Sequence, residues 1–394
     1  MFTYKTFNNI AEEGISTLAD RHISEVADNP DGLILRSHKL VKEEFGKSLL
    51  CIARAGAGVN NIPIADATSA GIVVMNTPGA NANAVKELVI CGMLLSSRGI
   101  VEGINFSQTL DSNDADTVNK MLEAQKKTFA GNELAGKTLG IVGLGAIGSM
   151  LAQASQALGM KLIGYDPHIS IDAAWRLPRE VEKAETLEDL LKKSDYISLH
   201  VPLVEATKNL INVENLKYFK PDARLINLSR GGIVNSNDVI DALEDGSLSR
   251  FVTDFPTPEL IARSAGSNDV ILLPHLGAST KEAEVNCAVM AANQLSNFLE
   301  DGTILHSVNF PNVSQERSTS HRLVIINRNE PGMISKITDC IAALNVNIAD
   351  MTNKSRDGVA INLIDLGLEA SEDLIDQLQA IDHVMSVRSI NLTS

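Results

Sequence analysis

The chain has 394 residues, more than one ordinary hydrophobic core accommodates, so two or three domains are expected. With 44% hydrophobic and 21% charged residues it reads as globular, and a formal net charge of −15 argues against nucleic acid and anionic membranes as partners. No apolar run reaches the roughly 18 residues of a membrane span, and MFTYKTFNNIAEEG lacks the charged-then-apolar layout of a secretory signal, so a cytoplasmic protein is expected.

The N-terminal third alternates short β-branched runs (LILR at 33–36, LLCIAR at 49–54, IVVMN at 72–76) with helix-like stretches, the rhythm of βα units. NAVKELVICGMLLSSRG, from Asn83 to Gly99, reads as a buried helix. Residues 100–135 turn polar and form either a connector or a helix packed elsewhere. From Thr138 the runs TLGIVG, KLIGYD, DYISLHVP, ARLINLS, FVTDF and VILLPH are apolar on both faces, which implies a parallel sheet covered by helices on each side. A long helix follows, with Ser279 and Glu282 spaced as a capping box and an apolar pattern to about Glu300. After the polar link HSVNFPNVSQERSTS, the remaining residues read strand, helix, strand, strand, helix, strand, a small α+β module that looks separable. Cys51, Cys91, Cys287 and Cys340 are scattered, so neither a disulfide framework nor a metal site is expected.

Within TLGIVGLGAIGSMLAQASQALGMKLIGYD a strand runs into Gly143, Gly145 and Gly148, a helix follows, and a second strand ends at Asp166. A glycine motif between strand and helix, with an acidic residue at the end of the next strand, is the dinucleotide fingerprint. The first glycine makes the turn, the second lets a pyrophosphate approach the backbone, and the helix N-terminus donates N–H groups. Asp166 suits the adenosine ribose and would repel a 2′-phosphate. With no arginine in the following DPHIS, the expected cofactor is NAD.

Hydride transfer from a hydroxy acid needs a base for the hydroxyl proton and a cation for the carboxylate. Arg230, Asp254 and His275 all follow strands, and in doubly wound sheets the ligand crevice lies at the carboxyl ends of the strands. His275, in VILLPHLGAST, has the right reference pKa for the base. Arg230, in LINLSRGGIV, is a permanently charged fork that matches a carboxylate. Glu259, in DFPTPEL, can stabilise the imidazolium or be a solvated loop acid.

RAGAGVNNI (54–62), MNTPG (75–79), KTLGIVGLGAIG (137–148), IGYDP (163–167), NLSRGGIV (227–234) and PHLGAST (274–280), in this order and spacing, resemble the D-isomer-specific 2-hydroxyacid dehydrogenases. Within that family the resemblance is to the branch that oxidises 3-phospho-D-glycerate with NAD on the route to serine. Another D-2-hydroxyacid dehydrogenase, such as a hydroxypyruvate or glyoxylate reductase, and a non-catalytic NAD-sensing protein are the alternatives. The implied fold is α/β: a Rossmann-type NAD domain (98–285) inserted in a flavodoxin-like substrate domain (1–97 and 286–316), followed by an ACT-like βαββαβ module (320–394).

The resemblance makes Arg230, Glu259 and His275 catalytic, although Glu259 lacks the proline that usually follows it. It places Thr77, Gly143, Gly145, Ala146, Ile147, Gly148, Asp166, His200, Val201, Pro202, Leu228, Ser229, Asp254, Gly277 and Ala278 around the cofactor; Ala146 stands where many relatives carry arginine. Arg54 and the backbone of Gly56, Ala57, Gly58 and Val59 would receive an anionic, phosphorylated hydroxy acid, with Lys39 an extra cation. Lys126 and Lys127 either reach across a homodimer or homotetramer or lie solvated. In the ACT-like module Asn327, Asn329 and Asn347 match an L-serine effector site, against the alternative of a module that only dimerises.

Overall fold

A computed structural model describes residues 2–392. The chain forms two compact units, Met1–Asn81 with Lys281–Ser394, and Ala82–Thr280. No described helix is long and apolar enough to cross a membrane.

The first unit opens with β1 (Thr3–Phe7), β2 (Ser24–Glu25), β3 (Gly32–Leu35), β4 (Cys51–Arg54) and β5 (Val73–Met75), all parallel in the order β2-β1-β3-β4-β5. That is the flavodoxin-like order, with β3, β4 and β5 buried along almost their whole length. The helix Lys281–Asp301 packs Ala291, Ala292, Leu295, Phe298 and Leu299 into this core.

The second unit holds β6 (Thr138–Val142), β7 (Lys161–Tyr165), β8 (Val181–Lys183), β9 (Tyr196–Leu199), β10 (Arg224–Asn227), β11 (Arg250–Thr253) and β12 (Val270–Leu272). They form one parallel sheet in the order β12-β11-β10-β9-β6-β7-β8. The chain reverses direction across the sheet between β6 and β9, which is where a doubly wound fold opens its ligand crevice. The helix Ala82–Ser97, which the sequence reading groups with the first segment, packs on this sheet instead. Val85, Val89 and Met93 join Ile141, Ile226 and Val252, the Ser97 hydroxyl meets the Tyr196 hydroxyl at 2.7 Å, and Arg224 Nε donates to the Ser96 carbonyl at 2.8 Å. The polar stretch after it forms two helices, Ile100–Gln108 and Ala115–Gln125, closed by a contact between Phe106 and Phe129.

The C-terminal residues form the antiparallel sheet β13 (His321–Arg328), β14 (Ile348–Arg356), β15 (Val359–Leu366) and β16 (Val384–Asn391), ordered β14-β15-β13-β16. Leu323, Ile325, Ile364 and Leu366 lie under the helices Met333–Ala343 and Glu372–Gln379. On β13, β15 and β16 the opposite face packs inward too: Val324, Ile326, Ile361, Leu363 and Ile390 share one core with Tyr4, Leu18, Leu295 and Phe298. This explains why VAINLIDL is buried at every position, and it corrects the expectation of a separable module. The link contributes Phe310 and Val313 to the same core, and Arg388 donates to the carbonyls of Phe298 (2.6 Å) and Leu299 (2.8 Å), capping the long helix.

Candidate functional site

The nucleotide cradle follows β6. Gly143 has φ +93°, and a Cβ there would lie 2.7 Å from the His200 carbonyl oxygen, at the end of β9; one on Gly148 would lie 2.1 Å from the Gly143 oxygen. Both glycines are therefore required by the fold itself. Gly145 differs: an added Cβ would meet nothing within 4 Å, and the helix Ala146–Ala157 starts there without a side-chain cap. The first N–H groups of Ala146, Ile147 and Gly148 thus point into space that suits a pyrophosphate. Ala146 adds no charge to the helix start. Asp166 accepts from the Leu144 N–H at 2.9 Å and the His168 N–H at 3.0 Å, which fixes its carboxylate at the tip of β7 with lone pairs left for ribose hydroxyls.

Across the switch point, the loops after β9 to β12 are tied together. The Ser229 hydroxyl donates to the Val201 carbonyl at 2.7 Å, and the Asn227 amide donates to the Arg230 carbonyl at 2.9 Å. His200 donates its backbone N–H to Val142 and shares a 2.8 Å hydrogen bond between Nε2 and the Ser198 hydroxyl. Burial pushes the His200 imidazole down to about 4, so it is neutral at pH 7. Val201 and Pro202 continue this rim, and Leu228 is buried behind it.

Asp254, Arg230 and His275 converge at the ends of β10, β11 and β12. Asp254 is 1% exposed; Oδ2 accepts the Gly277 N–H at 2.9 Å, while Oδ1 is buried without a partner. Burial raises its carboxyl above the ordinary value, against the opposing charges of His275 and Arg230. The unpartnered oxygen and the open space over Gly145 both fit a nicotinamide dinucleotide. His275 adopts φ +53°, donates its N–H to the Asp254 carbonyl at 3.1 Å and sets its ring edge-on to Phe255 at 5.0 Å. Phe255 also fills the space that Gly231 leaves, since a Cβ on Gly231 would sit 3.1 Å from the Phe255 Cβ. Ala278 lies half-buried beyond Gly277.

The structure does not pair Glu259 with His275. Thr257 caps the helix Pro258–Gly266, Pro258 takes its first position, and Leu260 points into the core. Glu259, one step of about 100° before Leu260, faces solvent, and its carboxyl is lowered by its own backbone N–H and by Thr257. Among the described residues no hydrogen bond joins it to His275. The carboxylate that stands near both His275 and Arg230 is Asp254.

In the first unit, Arg54 ends β4 and donates from Nε to the Arg36 carbonyl at 3.1 Å. A Cβ on Gly56 would lie 2.2 Å from Arg54 Nη1, so the glycine makes room for the guanidinium. Gly56 accepts the Thr77 N–H at 3.2 Å and Ala57 accepts from the Asn76 amide at 2.7 Å, which holds the loop through Gly58 and Val59. Thr77 is fully buried beside the Cys287 thiol. Sequence reasoning missed Arg36. It directly follows β3, the neighbour of β4, and the pairing of Leu35 with Arg54 brings it beside Arg54, a juxtaposition that only sheet register reveals. Lys39 is exposed, and Lys126 is paired with Glu123 one turn away.

The three asparagines expected to bind an effector do not form one cluster in this chain. Asn327 is 2% exposed and consumed internally: its Oδ1 accepts from Asn362 at 2.8 Å and its Nδ2 donates to the Arg328 carbonyl at 2.6 Å. Asn329 donates to the Asp357 carbonyl nearby. Asn347 lies at the opposite end of the sheet, just before Ile348, which pairs with Leu366.

Residues 103–277 match the profile of the D-isomer specific 2-hydroxyacid dehydrogenase NAD-binding domain. The chain is 34% identical over 359 residues to the D-3-phosphoglycerate dehydrogenase of Synechocystis, an alignment that covers 87% of this chain and 62% of that protein. It thus spans about three fifths of that relative's length. With the D-3-phosphoglycerate dehydrogenase of Haemophilus influenzae it shares 31% identity, over 91% of this chain and 85% of that one. A crystal structure of NAD+-bound 3-phosphoglycerate dehydrogenase from Entamoeba histolytica has a TM-score of 0.61 and 27% identity, covering 78% of this chain and 98% of that chain. The chain belongs to the D-isomer-specific 2-hydroxyacid dehydrogenase family, and its second unit is that family's NAD-binding domain.

Proposed function

We propose that the protein is an NAD-dependent dehydrogenase that interconverts 3-phospho-D-glycerate and 3-phosphohydroxypyruvate. The observation that carries this reading is the convergence of Arg230, His275 and the half-satisfied Asp254 at the ends of three adjacent strands, beside a glycine cradle fit for NAD. The two curated relatives described above are D-3-phosphoglycerate dehydrogenases, which supports the phosphorylated substrate.

In this reading NAD supplies the hydride acceptor. Arg230 holds the substrate carboxylate, and His275 takes the C2 hydroxyl proton as the carbonyl forms, with Asp254 rather than Glu259 providing the negative charge that favours the imidazolium. Arg54 and the Gly56–Val59 backbone in the first unit bind anionic groups of the substrate. The fuller reading is a cytoplasmic homo-oligomer. For L-serine, Asn327 is already satisfied internally, so an effector site would draw on Asn329 and Asn347 from different copies.

The deciding experiment follows NADH oxidation with phosphohydroxypyruvate, hydroxypyruvate, glyoxylate and 2-oxoglutarate, with and without serine. A preference for phosphohydroxypyruvate is expected. A preference for an unphosphorylated acid would overturn the substrate while leaving the family in place.

A further inference from the structure

Arg36 and Arg54 stand at the carboxyl ends of the paired strands β3 and β4, where open α/β sheets place their ligands, with Arg54 Nε donating to the Arg36 carbonyl at 3.1 Å. They are not equivalent. Arg36 Nη1 lies 2.5 Å from Glu284 Oε1, and Glu284 belongs to the first turn of the helix Lys281–Asp301. The pair is half-exposed, 33% at Arg36 and 50% at Glu284. Such pairs hold weakly, because water screens the attraction and two long side chains lose their freedom. A stronger anion can therefore displace the carboxylate without leaving a buried charge behind. The Cys287 thiol, one helical turn on, lies within electrostatic reach of Arg36, Arg54 and Glu284, so one small region of the first unit contains all three charges.

Resting on the reading of Arg54 as part of the substrate's anion site, we propose that Glu284 is a specificity-determining residue. It occupies Arg36 in the free protein and yields it to the phosphate of a phosphorylated substrate. A phosphate carries nearly two charges and three acceptor oxygens at neutral pH and forms charge-assisted bonds to a guanidinium, so it competes with one carboxylate on favourable terms. An unphosphorylated hydroxy acid has its single carboxylate engaged elsewhere and has nothing to exchange with Glu284. The carboxylate thereby withholds Arg36 from monoanions and sets a threshold on the phosphate affinity.

The test measures KM for phosphohydroxypyruvate and for hydroxypyruvate in the full-length protein carrying Glu284→Gln, Arg36→Gln or both, with binding of inorganic phosphate followed by calorimetry. In Glu284→Gln, KM for the phosphorylated substrate is expected to fall about 2- to 5-fold, the scale of a half-exposed ion pair. Inorganic phosphate should bind tighter by a similar factor, and KM for hydroxypyruvate should shift by less. Arg36→Gln should raise KM for the phosphorylated substrate, and adding Glu284→Gln to it should change nothing further. An unchanged or higher KM and phosphate dissociation constant in Glu284→Gln would overturn the proposal, as would an equal fall for both substrates. If the wild-type protein turned over only unphosphorylated acids, the proposed function would fail, and the calorimetric arm would still decide whether Glu284 screens Arg36 from phosphate.

Discussion

Arg322 and Asp365 face each other across β13 and β15 with neither side chain reaching solvent, Nε to Oδ1 at 2.6 Å and Nη2 to Oδ2 at 3.0 Å. Arg322 Nη1 continues to the Asp301 carbonyl at 3.2 Å and the Gln315 carbonyl at 3.0 Å. One guanidinium thus joins the C-terminal sheet, the link and the end of the long helix of the first unit. Burial alone would raise the Asp365 carboxyl, but the Arg322 fork and the Ser318 N–H outweigh it and hold the carboxyl below its usual value.

Removing one partner strands the other charge. Arg322→Met is expected to cost about 3–5 kcal/mol in urea unfolding, as breaking a buried pair typically does. Arg322→Met with Asp365→Leu should recover most of that loss, because apolar replacement of a whole buried pair is often neutral. Because the C-terminal sheet shares its core with the N-terminal parallel sheet of the first unit, both sheets should unfold in a single transition; separate transitions would contradict the shared core.

The catalytic assignments separate by substitution. His275→Ala should lower turnover by about 10² to 10⁴-fold, the usual contribution of a general base, while NADH binding followed by fluorescence persists. Asp254→Asn should also lower turnover strongly, since Asp254 is the carboxylate coupled to His275 and Arg230. Glu259→Gln, on an exposed first turn, should leave kcat within about 10-fold of wild type, below the range of a lost acid–base group. A collapse of activity in Glu259→Gln would restore the role that sequence spacing gives it.

Much of this was legible in the sequence where a residue's meaning is local. The glycine run with Asp166, the apolar strand runs and the βαββαβ order need only periodicity and turn chemistry, and β6, β7 and the C-terminal strands lie where those signals put them. Besides Arg36, three further features were not legible. The helix Ala82–Ser97 is apolar enough to pack on either unit, and only its tertiary contacts, such as the fit of Gly92 against Val252, show which sheet it covers. Glu259 sits at a reasonable spacing, but the proline before it sets a helix start that rotates it outward. The β1 strand was missed because TYKTF has only one buried residue, Tyr4, and reads as a polar N-terminus.

The glycines of the fingerprint should fail differently. Gly148→Ala would drive a methyl to within 2.1 Å of the Gly143 oxygen, so loss of folded protein or a substantially lower Tm is expected. Gly145→Ala meets no protein atom within 4 Å and has φ −67°, which any residue adopts, so its Tm should stay close to wild type. The added methyl occupies space suited to the pyrophosphate, and NADH affinity should fall at least several-fold. Unchanged NADH affinity in Gly145→Ala would argue against the cradle.

His200 makes stability depend on pH with a defined sign. Its imidazole is held at about 4 when folded and near the ordinary value of 6.5 when unfolded, because burial disfavours the cation. Between those values the unfolded chain binds the extra proton, so the unfolding free energy falls as pH drops from about 6.5 toward 4 and is unaffected by this group above pH 7. The full shift corresponds to a loss of up to about 3 kcal/mol at the acid end. Replacing His200 with Asn removes the titration, so urea unfolding at pH 7, 6 and 5 should show a shallower acid dependence in the variant than in the wild type. Parallel curves would mean that the imidazole is solvated in the native state and that Nδ1, buried and unpartnered here, finds a proton without cost.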